Sequence, residues 1–125
     1  MTHWVAVAIG GAVGAVARYG LSLGVARWWG VGFPWGTLIA NALGCLLLGA
    51  LAEWALHSEA LDAWHQKALG VGFLGAFTTF STFAHDTMRL LEKGRMSDAV
   101  LNLSLNLAIG LIAVTAGIWL VRRVC

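Results

Sequence analysis

Apolar positions along this chain gather into four long stretches separated by short polar breaks. Residues 1–17, 28–52, 68–84 and 99–121 contain no Asp, Glu, Lys or Arg. A bilayer core requires about 20 mostly apolar residues per helix. The pattern predicts four transmembrane helices, near residues 4–27, 35–55, 67–91 and 98–120. Trp28, Trp29 and Pro34 mark the first turn, since indoles favour the membrane interface and proline ends a helix. The second connection, 56–66, holds His57, Glu59, Asp62 and His65, ordinary groups for a solvated loop. A tight charged turn, 92–97, makes the third. The expected architecture is all-α: a single four-helix transmembrane domain over residues 1–125.

Composition agrees with a membrane protein. Hydrophobic residues make up 59% and charged residues 11%, whereas a soluble domain carries roughly 25% charged residues. The net charge of +2 and the lack of a basic cluster give nucleic acid nothing to bind. Cys45 and Cys125 suggest neither a disulfide nor a metal site. Residues 4–14 followed by Ala15-Val16-Ala17 resemble a signal peptide. No Lys or Arg precedes them, so the segment is read as a retained helix.

Charge also bears on topology. With four spans, the termini and the second loop share one side, which carries Lys67, Arg122 and Arg123. The other side carries Arg27, Arg89, Lys93 and Arg95. Orientation follows the difference in such counts, and three against four is nearly none. This balance permits insertion both ways round and an antiparallel homodimer.

The polar residues inside the apolar helices are few. Arg18 lies within the first helix, where it either snorkels to the interface or pairs with backbone or a carboxylate. The pairs Gly10/Gly14 and Gly20/Gly24 would let a neighbouring helix approach closely. Thr37 and Asn41 lie one turn apart on the second helix; Asn41 reads either as a helix–helix bond or as a pore-lining donor. Asn102, Asn106 and Gly110 form a track on the fourth. In the third, Gly70, Gly72 and Gly75 precede Thr78, Thr79, Ser81 and Thr82, and Phe77, Phe80 and Phe83 are spaced through them. Glycines followed by β-branched residues weaken a helix, so a break at mid-membrane is expected.

These groups exclude some chemistry. No deep carboxylate suggests proton coupling; Glu53 and Asp86 lie near helix ends. No nucleophile–base pair or metal-ligand set suggests an enzyme. Hydroxyls, amides and the positive edges of phenyl rings are neutral donors suited to a small anion.

Four blocks together resemble the Fluc/CrcB family of fluoride channels. They are Gly10-Gly-Ala-Val-Gly-Ala-Val-Ala-Arg18-Tyr19, Gly36-Thr-Leu-Ile-Ala-Asn41-Ala-Leu-Gly44, Gly72-Phe-Leu-Gly75-Ala-Phe-Thr78-Thr79-Phe80-Ser81-Thr82-Phe83, and the spaced Ala99, Asn106, Gly110, Gly117. The resemblance implies an antiparallel, dual-topology homodimer with two fluoride pores in the cell inner (plasma) membrane, exporting fluoride passively. It implies a third helix broken at its centre. A structural sodium ion would sit on the dimer axis, held by the backbone carbonyls of Gly75 and Thr78. Phe80 and Phe83 would meet fluoride with their ring edges, and Asn41 would line the pore. Thr37, Ser81, Thr82 and Asn106 would be further polar partners, and Arg18 a vestibule or structural residue. Phe77 is left to packing. The chain departs from the family at Ala84, His85 and Asp86, where Ser and a later Glu are usual, and at Asn102 and Asn106, where Tyr and Ser are usual. The other readings are a small multidrug-type dual-topology transporter and a holin-like assembly that moves no ion.

Overall fold

The computed structural model describes residues 2–57 and 62–124, so Glu59 and Cys125 fall outside it. Three long helices carry the apolar runs at either end of the chain: α1 (Thr2–Trp29), α2 (Trp35–His57) and α6 (Met96–Val124). All three are long and apolar enough to cross a membrane, with mean hydropathies of 1.4, 1.7 and 2.0. Between α2 and α6 the chain is helical in pieces. These are α3 (Ala63–Gln66), a π-helical segment (Lys67–Leu74), α4 (Gly75–Phe77) and α5 (Phe80–Glu92). No strand occurs among the described residues.

The helical path begins before residue 67 because Asp62 caps it. Its carboxylate accepts the backbone N–H of His65 at 2.9 Å and lies 2.7 Å from the His65 ring nitrogen. The backbone bond to His65, aided by that ring, holds the Asp62 carboxyl below its ordinary pKa. At the other end of this path, Thr78 (ψ 155°) and Thr79 (φ −153°) are extended, and the helix stops and restarts around them.

Missing β-carbons decide how the elements approach. A β-carbon on Gly10 or Gly14 would run into the carbonyls of Ala68 and Phe73 in the π-helical segment. One on Gly72 would lie 2.8 Å from the Val7 carbonyl oxygen. Backbone therefore meets backbone along this seam, as small residues allow. The crossing of α2 and α6 works the same way: Gly49 faces the Val114 carbonyl and Gly117 faces the Leu46 carbonyl. Gly20 and Gly24 meet nothing within 4 Å in the chain, so only one of the two expected small-residue pairs makes contact within it.

Ion pairs tie the ends. Glu53, 5% exposed, accepts from Arg122 through both oxygens at 2.8 and 3.3 Å, joining α2 to α6. At the opposite end Arg95 bonds Asp98 at 2.7 Å and also the Gly32 carbonyl. Between these ends the outward surface is apolar. Val16, Leu107, Leu111 and Ile112 are each more than 60% exposed, a surface suited to lipid or another apolar partner rather than water.

Gly14→Val should force α1 away from the π-helical segment. Overpacking of this kind costs about 1–3 kcal/mol, so the detergent-solubilised protein should melt at a lower temperature. Gly24→Val, at an open position, should leave the midpoint close to that of the parent. Equal midpoints for both variants would contradict the packing described.

Candidate functional site

Breaking a helix inside an apolar run strands backbone donors and acceptors that water cannot reach. The break at Thr78–Thr79 is furnished with side chains that take their place. From α2, Asn41 brackets Thr79: its Oδ1 accepts the Thr79 N–H at 2.8 Å, and its Nδ2 donates to the Thr79 carbonyl at 3.3 Å. One amide thus supplies both halves of a peptide-like pair. From α1, Arg18 donates its Nε–H to the Ala76 carbonyl at 3.0 Å. A cation at a helix C-terminus also meets the negative end of the dipole. The sequence left Arg18 open between snorkelling and pairing; the side chain pairs with backbone.

The restart is capped from within. The Thr79 hydroxyl accepts the Thr82 N–H at 3.1 Å, the usual service of an N-cap threonine. The same hydroxyl donates to Thr82 Oγ1 at 3.0 Å and lies 3.3 Å from Ser81 Oγ. Arg18 reaches Thr82 Oγ1 as well, at 3.4 Å. Thr82 oxygen therefore accepts twice, once from a cation. Among the described residues no acceptor takes the Thr82 hydroxyl proton. A hydroxyl that accepts a charge-assisted bond is a stronger donor in turn.

On the first turn of α5, beside these hydroxyls in sequence, stand Phe80 and Phe83. Their ring centroids are 5.6 Å apart with planes tilted by 60°. Phe83 is 6% exposed and Phe80 78%. Phe77 is buried and stacks on Phe73 at 5.7 Å, away from that pair.

The amides of α6 extend the cluster. Asn106 Oδ1 accepts from Asn41 at 3.0 Å, and Asn106 Nδ2 donates to Asn102 at 3.0 Å. Both N–H groups of Asn41 are thereby engaged, one with the Thr79 carbonyl and one with Asn106 on α6. Thr37 stands apart from this network. It donates to Asp86 Oδ2 at 2.9 Å, in an open cleft of about 250 Å³ that Ser22, Arg89 and Lys93 also line.

Comparison with known proteins gives the chain its relatives. The sequence profile described as CrcB-like protein, Camphor Resistance (CrcB), matches residues 5–118. A protein of Geobacter sulfurreducens is 45% identical over 123 residues, covering 98% of this chain and 99% of that one. One from Hydrogenovibrio crunogenus is 44% identical over 115 residues, with 92% and 87% covered. Both carry the name fluoride-specific ion channel FluC. This chain belongs to the CrcB family.

As a CrcB-family member, a channel type rather than an enzyme, the chain gathers Arg18, Asn41, Ser81, Thr82 and Asn106 around one backbone interruption. Sequence reasoning singled out all five. It passed over Thr79, the hub of the cluster, although a hydroxyl residue directly before a restarting helix is an N-cap signal. It also gave no role to Asn102, which is 0% exposed, or to Thr87. Their spacing from Asn106 and Phe83 was visible, but their bonding depends on how α5 and α6 pack.

Arg18→Met keeps the stem and removes the donors, leaving the Ala76 carbonyl without its partner. A part-buried group so abandoned costs up to about 1–3 kcal/mol. The unfolding midpoint in detergent should fall accordingly, and Arg18→Lys, which keeps one donor, should fall less. No loss in Arg18→Met would remove it from the cap.

Proposed function

We propose that this chain forms a fluoride-selective channel through which fluoride leaves the cell passively, lowering cytoplasmic fluoride. The observation that carries this reading is the Thr82 hydroxyl: a donor polarised by Arg18 and Thr79, with no acceptor for its own proton among the described residues. The relatives' name supplies the identity of the anion. Fluoride holds water tightly, so a pore must offer close donors in exchange, yet hold the ion weakly enough to release it. Hydroxyls of Thr82 and Ser81 meet the first requirement. The ring edges of Phe80 and Phe83 meet the second, being positive without carrying charge. Asn41 reaches a passing ion by releasing Thr79 or Asn106. Thr37 and the cleft beside Asp86 form one mouth of the path.

The channel is an antiparallel, dual-topology homodimer in the inner membrane, with two pores. The broken run crosses as the fourth span, its interruption at mid-membrane. The near-equal charge of the two sides supports two-way insertion, and the exposure of Phe80 supports a second copy lying against the break.

A structural sodium ion on the dimer axis belongs to the same reading, and the residues present fit it. Thr79 N–H, which a continuous helix would bring to the Gly75 carbonyl, goes to Asn41 instead. Thr82 N–H, which would reach the Thr78 carbonyl, goes to the Thr79 hydroxyl. Carbonyls freed in this way suit a hard cation, whose charge would favour anions nearby.

Purified protein in liposomes should release fluoride rapidly and chloride hardly at all; equal release of both would end the selectivity claim. Phe80→Ile should abolish fluoride release with the dimer still intact by size-exclusion chromatography. Thr82→Val, which keeps the shape and removes the donor, should slow fluoride release about tenfold, the equivalent of one hydrogen bond of 1.4 kcal/mol. Parent-like release from either variant would take that residue out of the path.

A further inference from the structure

Among the described residues Asn102 is the largest side chain with no solvent exposure, and it sits at the centre of a directional chain of hydrogen bonds. Thr79 N–H donates to Asn41 Oδ1 at 2.8 Å, and Asn41 Nδ2 to Asn106 Oδ1 at 3.0 Å. Asn106 Nδ2 donates to Asn102 Oδ1 at 3.0 Å, Asn102 Nδ2 to Thr87 Oγ1 at 2.9 Å, and Thr87 to the Phe83 carbonyl at 2.8 Å. The chain crosses α2, α6 and α5 and returns to the helix that carries Phe80 and Phe83.

Its two ends fix its polarity. A backbone N–H only donates and a backbone carbonyl only accepts. Thr87 gives its one proton to Phe83, so toward Asn102 it can only accept. Asn102 must then point Nδ2 at Thr87, which leaves Oδ1 facing Asn106. Asn106 is set in turn, its Nδ2 donating to the Asn102 backbone carbonyl as well as to Oδ1, both at 3.0 Å, and Asn41 follows. Reversing any member would place donor against donor, a costly arrangement away from water.

We infer that Asn102 is a positioning residue for the anion path, acting through Asn106 and Asn41 on the Thr79 backbone. The inference rests on the channel reading of the break. Each asparagine of the pair carries an acceptor at one corner and donors at the other, so it can receive one bond and pass on the next.

Thr87 supplies the discriminating test, because shape and bonding can be separated there. Thr87→Val keeps the shape and removes the acceptor. Thr87→Ser keeps the hydroxyl and removes a methyl group. Each variant, together with Asn102→Leu, is compared with the parent in two ways. One is fluoride release from liposomes. The other is the side-chain amide NMR resonances of Asn41 and Asn106 in protein labelled with 15N-asparagine. Thr87→Val should shift both amides and slow fluoride release about threefold, while Thr87→Ser leaves both parent-like. Asn102→Leu should shift the amides further and slow release about tenfold, as loss of one to two such bonds implies. A purely packing role would give the reverse order, with Thr87→Ser perturbed and Thr87→Val silent. That order, or unshifted Asn41 resonances in Asn102→Leu and Thr87→Val, overturns the inference. If the parent itself releases no fluoride, the channel reading fails, and the amide resonances alone decide whether the relay sets Asn41.

Discussion

The pairing of the Asn41 amide with both backbone groups of Thr79 is the contact on which the rest of this structure depends. An apolar medium offers no water to a broken helix, and each stranded backbone group there costs several kcal/mol. A side-chain amide carries one acceptor and two donors in fixed geometry. It can imitate a neighbouring strand for one residue. Without it the extended conformation of Thr79 would have little advantage over continuing the helix. Arg18 serves the chain before the break, and the Thr79 hydroxyl serves the chain after it.

Close packing puts these side chains within reach. Gly10 and Gly14 let α1 lie directly on the π-helical segment, which brings Arg18 to Ala76 one turn further along. Gly44 admits the Thr78 methyl group against α2, three residues from Asn41. The π-helical path itself leads into the break, and wide helical turns of this kind often accompany functional sites. Glycine thus serves two ends here: it weakens the helix that must break and opens space for the helices that hold the break.

Much of this was legible in the sequence, for particular reasons. Long runs without charge gave the three uninterrupted helices, because length and apolarity are all that crossing a bilayer demands. Arg18, Asn41 and the hydroxyls around residue 80 stood out because polar groups are rare in such runs. Gly20/Gly24 looked equivalent to Gly10/Gly14, and only the fold separates them, since spacing says nothing about what lies opposite. The role of Asn102 was likewise hidden. An amide one turn from another announces a polar face, whereas its direction of bonding is set by Thr87 and Phe83 on a different helix. Thr37 shared a face with Asn41 and yet binds Asp86, because α5 brings a stronger acceptor to it.

The same features that satisfy the backbone leave one hydroxyl proton without an acceptor among the described residues, and the proposed function rests on that remainder. Arg18 and Thr79 both donate to Thr82 oxygen, and among the described residues no acceptor takes the Thr82 proton, on the same first turn of α5 that carries Phe80 and Phe83. The central claim is that a fluoride ion meets this hydroxyl and these rings. Its most direct test is an NMR titration of protein in lipid nanodiscs, selectively 13C-labelled at threonine and phenylalanine, with fluoride and with chloride. The account predicts that Thr82, Phe80 and Phe83 resonances move with fluoride and stay still with chloride. Fluoride-dependent shifts confined to other threonines and phenylalanines, or identical shifts with chloride, would contradict it.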